Sequence, residues 1–368
     1  MLIGDDETVR DLTRGAVLLG TGGGGDPYIG QLLLQQEIRE GRSARVIGLD
    51  ELADDAFVVS VAGIGAPTVL IEHLQARGVC ERLLAMMERH LDRRIDAIVP
   101  AEVGGMNSVI PLALGAQLGL PVVDADGMGR AFPHIEMVTF SVYGNRACPM
   151  VIGNELGDTV LIEQATSDRK VEDIARVVTG ALGAMVYGVL YPMSGAELRR
   201  TAIANSLSYA MEIGRGIREA RSASSNPVAA LLGIVGDRSR GRFACELFDG
   251  KIIDIQRETR DGWHLATVTL AGLDDSAQRL ELLLQNEFLV ARQDGRTLCM
   301  VPDLIAVVDR ETAEPINAER LKYGQRLKVL GLAAQEIMRR PECLAVFGPQ
   351  AFGIDEPFVP IENLVAGS

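Results

Sequence analysis

Cysteine is scarce in this chain. There are five in 368 residues, at positions 80, 148, 245, 299 and 343, with no CxxC pair. An odd, scattered set excludes a disulfide framework and predicts reduced thiols in a cytoplasmic protein. Histidine is scarcer still: His73, His90, His134 and His264, with no HxH or HExxH spacing. A zinc site therefore has only weak support in the local sequence. A GxSxG elbow is also missing, and no cysteine stands in a nucleophile motif. Basic residues are in deficit, 36 Lys and Arg against 50 Asp and Glu, for a net charge of −14. A surface that acidic repels a phosphate backbone, so nucleic acid is not an expected partner. The first residues, MLIGDDETVRD, offer no basic n-region or apolar h-region, and no signal peptide is expected. One uncharged stretch, between Arg176 and Glu197, approaches membrane length, but its four glycines and one proline suit a helix end followed by a buried strand. No membrane span is expected.

What is present fits a folded protein. Hydrophobic residues are 47% and charged residues 23%, which excludes disorder. Glycine is abundant, at 40 residues without a three-residue period, so collagen is excluded and the surplus is local. At this length two domains are expected.

Residues 5–19 and the stretch after Pro27 show helical spacing, and GTGGGGDP (20–27) joins them. Further on, AFVVSVAGIGAP (56–67), IDAIVPAEVGGMNS (95–108) and LPVVDADGMGR (120–130) read as strands ending in glycine-rich loops, with helices at 68–91 and at IPLALGAQLG between them. That alternation predicts an α/β domain with a parallel sheet over residues 1–168. A C-terminal domain is expected over 169–368, helical at 169–236 and then β-rich over 237–368. DG pairs at 249–250, 261–262 and 294–295 suggest hairpin turns in an antiparallel sandwich or open barrel.

Ligands of an open parallel sheet bind at the carboxyl ends of its strands. The candidate catalytic residues are accordingly Asp124 and Asp126, with Glu102 beside them: carboxylates on one sheet edge can divide acid and base roles or hold a hard divalent cation. The plainer alternative is that one of them caps a helix and another pairs with Arg130. Candidate substrate contacts are Gly104, Gly105, Met106, Asn107, Gly127, Met128 and Arg130, where glycines admit a ligand to the backbone, plus His134 just beyond. Asn107 serves equally as a helix cap. The run Gly22, Gly23, Gly24 is a close-packed turn or a flap over a small ligand. A helical pattern precedes it and Asp26-Pro27 follows, so no nucleotide is expected there. His73 and His90 read as solvent-facing. Cys148 reads as packed. Glu287 and Asp303, acids inside apolar strands, need partners if buried.

Seven ordered motifs, GTGGGGDPYIG, AEVGGMNS, VVDADGMGRAFP, QNEFLVA, VPDLIAVVD, YGQRLKVLGL and GPQAFGIDEPFVP, span the chain and resemble the DUF917 family, also described as the S-methyl thiohydantoin desulfurase family. The resemblance implies an N-terminal α/β domain, a β-rich C-terminal domain and hydrolysis of a small heterocycle, in which water replaces a methylthio group on a thiohydantoin ring. It also implies association with hydantoinase- and oxoprolinase-like proteins. A different reading is a non-catalytic partner of such an enzyme. A small-molecule substrate and a homo-oligomer complete the expectation.

Overall fold

The computed structural model describes residues 1–65, 78–260 and 263–366. The chain forms two compact units. One comprises Met1–Thr13, Gly25–Met128 and His134–Ser208; the other comprises Arg14–Gly24, Gly129–Pro133 and Tyr209–Ser368.

The first unit holds β1 (Leu2–Ile3), β2 (Ala44–Ile47), β3 (Phe57–Gly65), β4 (Ala97–Pro100), β5 (Val122–Val123), β6 (Ala125–Asp126), β7 (Met150–Gly153), β8 (Thr159–Ile162), β9 (Met185–Ser194) and β10 (Ile203–Ala204). Eight of these form one sheet in the order β1-β2-β5-β4-β3-β9-β7-β8. The sheet is mixed. β2, β5, β4 and β3 run parallel, as the alternating pattern predicts, whereas β1, β9, β7 and β8 join antiparallel. The centre, Phe57 to Ala62 in β3 and Ala97 to Pro100 in β4, is wholly buried. A continuous apolar run belongs where both faces are covered. Each such valine or isoleucine contributes about 1.5–3 kcal/mol on burial.

Helix Val79–Leu91 buries Val79, Leu83, Leu84 and Met87, a single stripe at helical spacing, and leaves His90 exposed. The N-terminal part of the helix expected at 68–91, with His73, lies outside the described residues. Helix Ile110–Leu118 packs on the parallel strands and ends at Gly119, whose φ of 70° is the left-handed C-terminal stop. The uncharged stretch after Arg176 resolves into the end of helix Asp168–Ala181 and buried β9. No helix among the described residues is long and apolar enough to cross a membrane.

The second unit is built on β11 (Ala244–Arg260), β12 (Trp263–Gly272), β13 (Arg279–Gln285), β14 (Glu287–Gln293), β15 (Arg296–Met300), β16 (Leu304–Asp309) and β17 (Arg326–Leu332). They form one antiparallel half-barrel sheet in the order β15-β14-β13-β12-β11-β17-β16. β13 shows why: Leu280, Leu282 and Leu284 face the core while Glu281 faces water. Asp294-Gly295 is a hairpin turn, with φ of 47° and 83° at the two residues. Asp249-Gly250 is not. It lies inside β11, paired with β12 on one side and β17 on the other, and Gly250 lets the Phe248 ring and the Ala271 carbonyl approach closely. The pair at 261–262 lies outside the described residues.

Candidate functional site

In the first unit, Asp126 organises the strand-end loops. It is fully buried, and its Oδ2 accepts the N–H of Val103 (3.0 Å) and of Met128 (2.9 Å). Its Oδ1 accepts the Ser206 hydroxyl at 2.6 Å. One carboxylate thus ties the loop after β4, the loop after β6 and the start of helix Ser206–Ser222. Asp124 faces the same helix differently: its Oδ1 accepts the N–H groups of Leu207 (2.9 Å) and Ser208 (3.1 Å), two of the donors a helix start leaves open. The geometry at Asp124 is that of the plainer alternative, a helix cap.

Asn107 spans two strand ends. Its Oδ1 accepts the Gly63 N–H at 2.7 Å, and its Nδ2 donates to the Gly63 carbonyl at 3.3 Å and to Glu102 Oε1 at 2.7 Å. Glu102, Asn107 and the end of β3 are therefore one hydrogen-bonded group, and both side chains are buried. Glu102 meets the Asn107 side-chain amide, and Asp124 and Asp126 each accept two backbone N–H groups. The glycine-rich loops also differ. Gly127 N–H donates to the Ala101 carbonyl (3.0 Å) and Met128 N–H to Asp126, so both are engaged inside the fold. The loop of Gly104, Gly105 and Met106 packs at Gly105 against the Gly25 carbonyl, where an added Cβ would sit only 2.3 Å away.

In the second unit, the glycine run is a packing surface. A Cβ on Gly22 would lie 2.5 Å from the Phe288 ring, and one on Gly23 would lie 2.2 Å from Glu287 Oε1. Phe288 N–H donates to the Thr21 carbonyl (2.8 Å), and Ala318 N–H to that of Gly22 (3.0 Å). Gly24, with φ of 73°, completes the turn. Arg130 is completely buried and donates to the carbonyls of Phe288 (2.8 Å), Asp303 (3.0 Å) and Ala131 (3.2 Å). Its guanidinium lies 4.9 Å from the centre of the Phe132 ring. Burial lowers it to about 10, with the charges of Glu287 and Asp303 acting against that shift. Asp303 is buried too. It accepts Arg339 Nε (2.7 Å) and the N–H groups of Ala334 (2.9 Å) and Ile361 (2.8 Å). Burial nevertheless pushes its carboxyl up to about 6. Asp303 thus binds the C-terminal segment and Glu287 lies against Gly23, while both acids act on the charge of Arg130.

His134 lies in the first unit, 3.5 Å from Glu172 through Nδ1 and Oε1. Among the described residues, His134, Glu136 and Glu172 are the group whose donor atoms converge for a metal, all within 4.8 Å of one another. Glu102, Asp124 and Asp126 do not form such a group. Glu172 arrives from helix Asp168–Ala181, where it shares the buried face with Asp168, Val171 and Ala175. An acid on the apolar face of a helix was the one available signal in the sequence, and no spacing rule links it to His134. The Cys148 thiol is half-buried and pushed up by that burial, the opposite of what a nucleophile needs.

The comparisons with known proteins concern the whole chain. No curated protein matches it. A crystal structure of a protein from Chromobacterium violaceum is similar over 98% of this chain and 100% of that one, with a TM-score of 0.83 at 24% identity, and at that identity the likeness speaks for the fold. The S-Me-THD-like N-terminal domain matches residues 7–164 and the S-Me-THD-like C-terminal domain residues 166–361. With both domains matched in order over nearly its whole length, the chain belongs to the S-Me-THD-like (DUF917) family.

Proposed function

We propose that this protein is a hydrolase of a small hydantoin-like ring, replacing a methylthio group of an S-methyl thiohydantoin with the oxygen of water. Family membership supports a hydantoin-related desulfurase or hydrolase at family level. The observation that carries the choice of site is the Glu102–Asn107–Gly63 group. Glu102 is a buried carboxylate at a strand end, held at one oxygen by a side-chain amide. Asn107 is fixed in turn by both polar atoms of the Gly63 backbone.

In this reading Glu102 takes the proton from water as its oxygen bonds to the ring carbon bearing the methylthio group. The carbon–sulfur bond then breaks. The thiolate leaves with the proton held by Glu102, and the remaining hydroxyl proton passes to the ring nitrogen, giving methanethiol and a ring carbonyl. Asn107 keeps the carboxylate aimed, and the backbone N–H groups of the Gly104–Met106 loop face the ring's oxygen. Asp124 and Asp126 hold the loops that form this site.

The test is methanethiol release from an S-methyl thiohydantoin by Glu102→Gln, Asp124→Asn and Asp126→Asn. Loss of a general base costs about 10²–10⁴-fold, so Glu102→Gln should fall by that much at an unchanged melting temperature. Undiminished turnover in Glu102→Gln sinks the assignment, and no turnover by the unaltered protein on any S-methyl thiohydantoin sinks the activity.

A further inference from the structure

The strongest unassigned chemistry lies at the segment that follows the strand-end loops. Ile135 is gripped from both sides: its N–H donates to Glu172 Oε2 (3.1 Å), and its carbonyl accepts the Tyr191 hydroxyl (2.9 Å). Tyr191 is itself fully buried, at a β-bulge with φ of 53°, a conformation that bulky side chains rarely adopt. The two residues flanking this clamped peptide, His134 and Glu136, are therefore presented on fixed backbone. With Glu172 they bring one imidazole nitrogen and two carboxylates to within 4.8 Å of one another.

A second observation is independent of that convergence. Glu136 Oε1 meets Arg169 at 3.1 Å, but its Oε2 is buried without a hydrogen-bond partner among the described residues. A buried acceptor left in that state is destabilising, the more so when charged. A cation would satisfy it.

We propose that His134, Glu136 and Glu172 form a divalent-cation site for a borderline ion of the Zn2+ class. The site joins the 134–136 segment to helix Asp168–Ala181, and it stands independently of the proposed hydrolysis. One imidazole and two carboxylates suit zinc or manganese better than the all-oxygen preference of Ca2+ and Mg2+. Three protein ligands leave a fourth position for water. Two carboxylates balance the charge of the ion. Arg176 is its competitor: its guanidinium bonds Glu172 Oε1, the oxygen nearest His134. The Arg176 side chain is 42% exposed, so it can swing into solvent when an ion takes its place.

The experiment is calorimetric titration of ZnCl2 into the full-length protein after chelator treatment, with melting temperatures recorded for each metal-free variant. The unaltered protein should bind one Zn2+. Glu136→Gln and His134→Ala should weaken binding about tenfold or more, whereas Arg176→Ala should tighten it several-fold. Glu136→Gln gives up one ion pair with the exposed Arg169 and removes a buried unpartnered charge, so its metal-free melting temperature should be no lower than the parent's and keep the comparison interpretable. Equal affinity and stoichiometry in parent, Glu136→Gln and His134→Ala overturns the site. So does the absence of binding in every form, Arg176→Ala included.

Discussion

Phe288 lies so close over Gly22 that a single methyl group at Gly22 would sit 2.5 Å from the ring edge. The backbone seals the same contact, since Phe288 N–H donates to the Thr21 carbonyl at 2.8 Å. The glycines are there for clearance. Gly22→Ala adds a methyl at φ of 89° against a fully buried ring, and Gly23→Ala adds one against the buried Glu287. Overpacking costs about 1–3 kcal/mol, and the left-handed backbone at Gly22 adds about 1 kcal/mol or more. Urea unfolding should show both losses, with the larger at Gly22. Parent-like stability in Gly22→Ala contradicts the packing account.

Arg130 reaches the Asp303 carbonyl, 173 residues downstream, and the Phe288 carbonyl beside it. Arg130→Met keeps much of the volume and removes every donor. Hydrogen bonds to charged groups contribute about 1.5–3 kcal/mol each, and the carbonyls left behind have no water to turn to. Thermal melting should drop by many degrees. Arg130→Lys should recover little, because an ammonium group lacks the planar fork that reaches carbonyls in different directions.

The two aspartates should separate in their effects. Asp124→Ala removes the acceptor for Leu207 and Ser208 at a helix start, a loss of about 1–2 kcal/mol. Asp126→Ala strands the N–H groups of Val103 and Met128 and the Ser206 hydroxyl in a dry interior, and should cost more. Denaturation midpoints measured side by side decide the ranking. A larger loss in Asp124→Ala reverses it.

Asp303 carries a pH signature. Its folded value of about 6 lies above the ordinary carboxyl value of about 3.9. Below pH 4 the carboxyl is protonated both folded and unfolded, and its contribution to stability is complete. Between those values the folded state alone keeps the proton, so stability falls as the pH rises towards 6. Asp303→Asn should flatten that segment of the stability–pH curve. It should also lower stability throughout, because an amide turns donors towards Arg339 or the Ile361 N–H. Unfolding free energies at pH 4, 5, 6 and 7 give the slope, and an equal slope in the variant removes Asp303 as its source.

Much of the frame was legible in the sequence because its signals are local. The apolar run Phe57–Ala62, the Gly119 stop and the alternation in β13 each depend on neighbours a few residues away. The mixed character of the sheet was not legible. β7 and β8 are only four residues each, too short for periodicity to distinguish strand from buried helix. The same limit explains Asp249-Gly250, where a turn-type dipeptide lies in a strand because pairing on both flanks overrides its preference. At the candidate site, residue types were legible but partners were not. Nothing adjacent to Asp124 announces that its donors come from Leu207 and Ser208, and nothing near His134 points to Glu172.

The noncontiguous make-up of the second unit has a consequence for biosynthesis. Its Gly22 turn leaves the ribosome long before the Phe288 ring that covers it and the Ala318 N–H that bonds it, which follow about 270–300 residues later. At the usual ~5–20 residues per second, the turn waits on the order of tens of seconds for its partners. A fragment beginning at Tyr209 would lack both that turn and Arg130. The carbonyls of Phe288 and Asp303 would then have no cation to meet, so this unit matures only once the segments that carry them have been made.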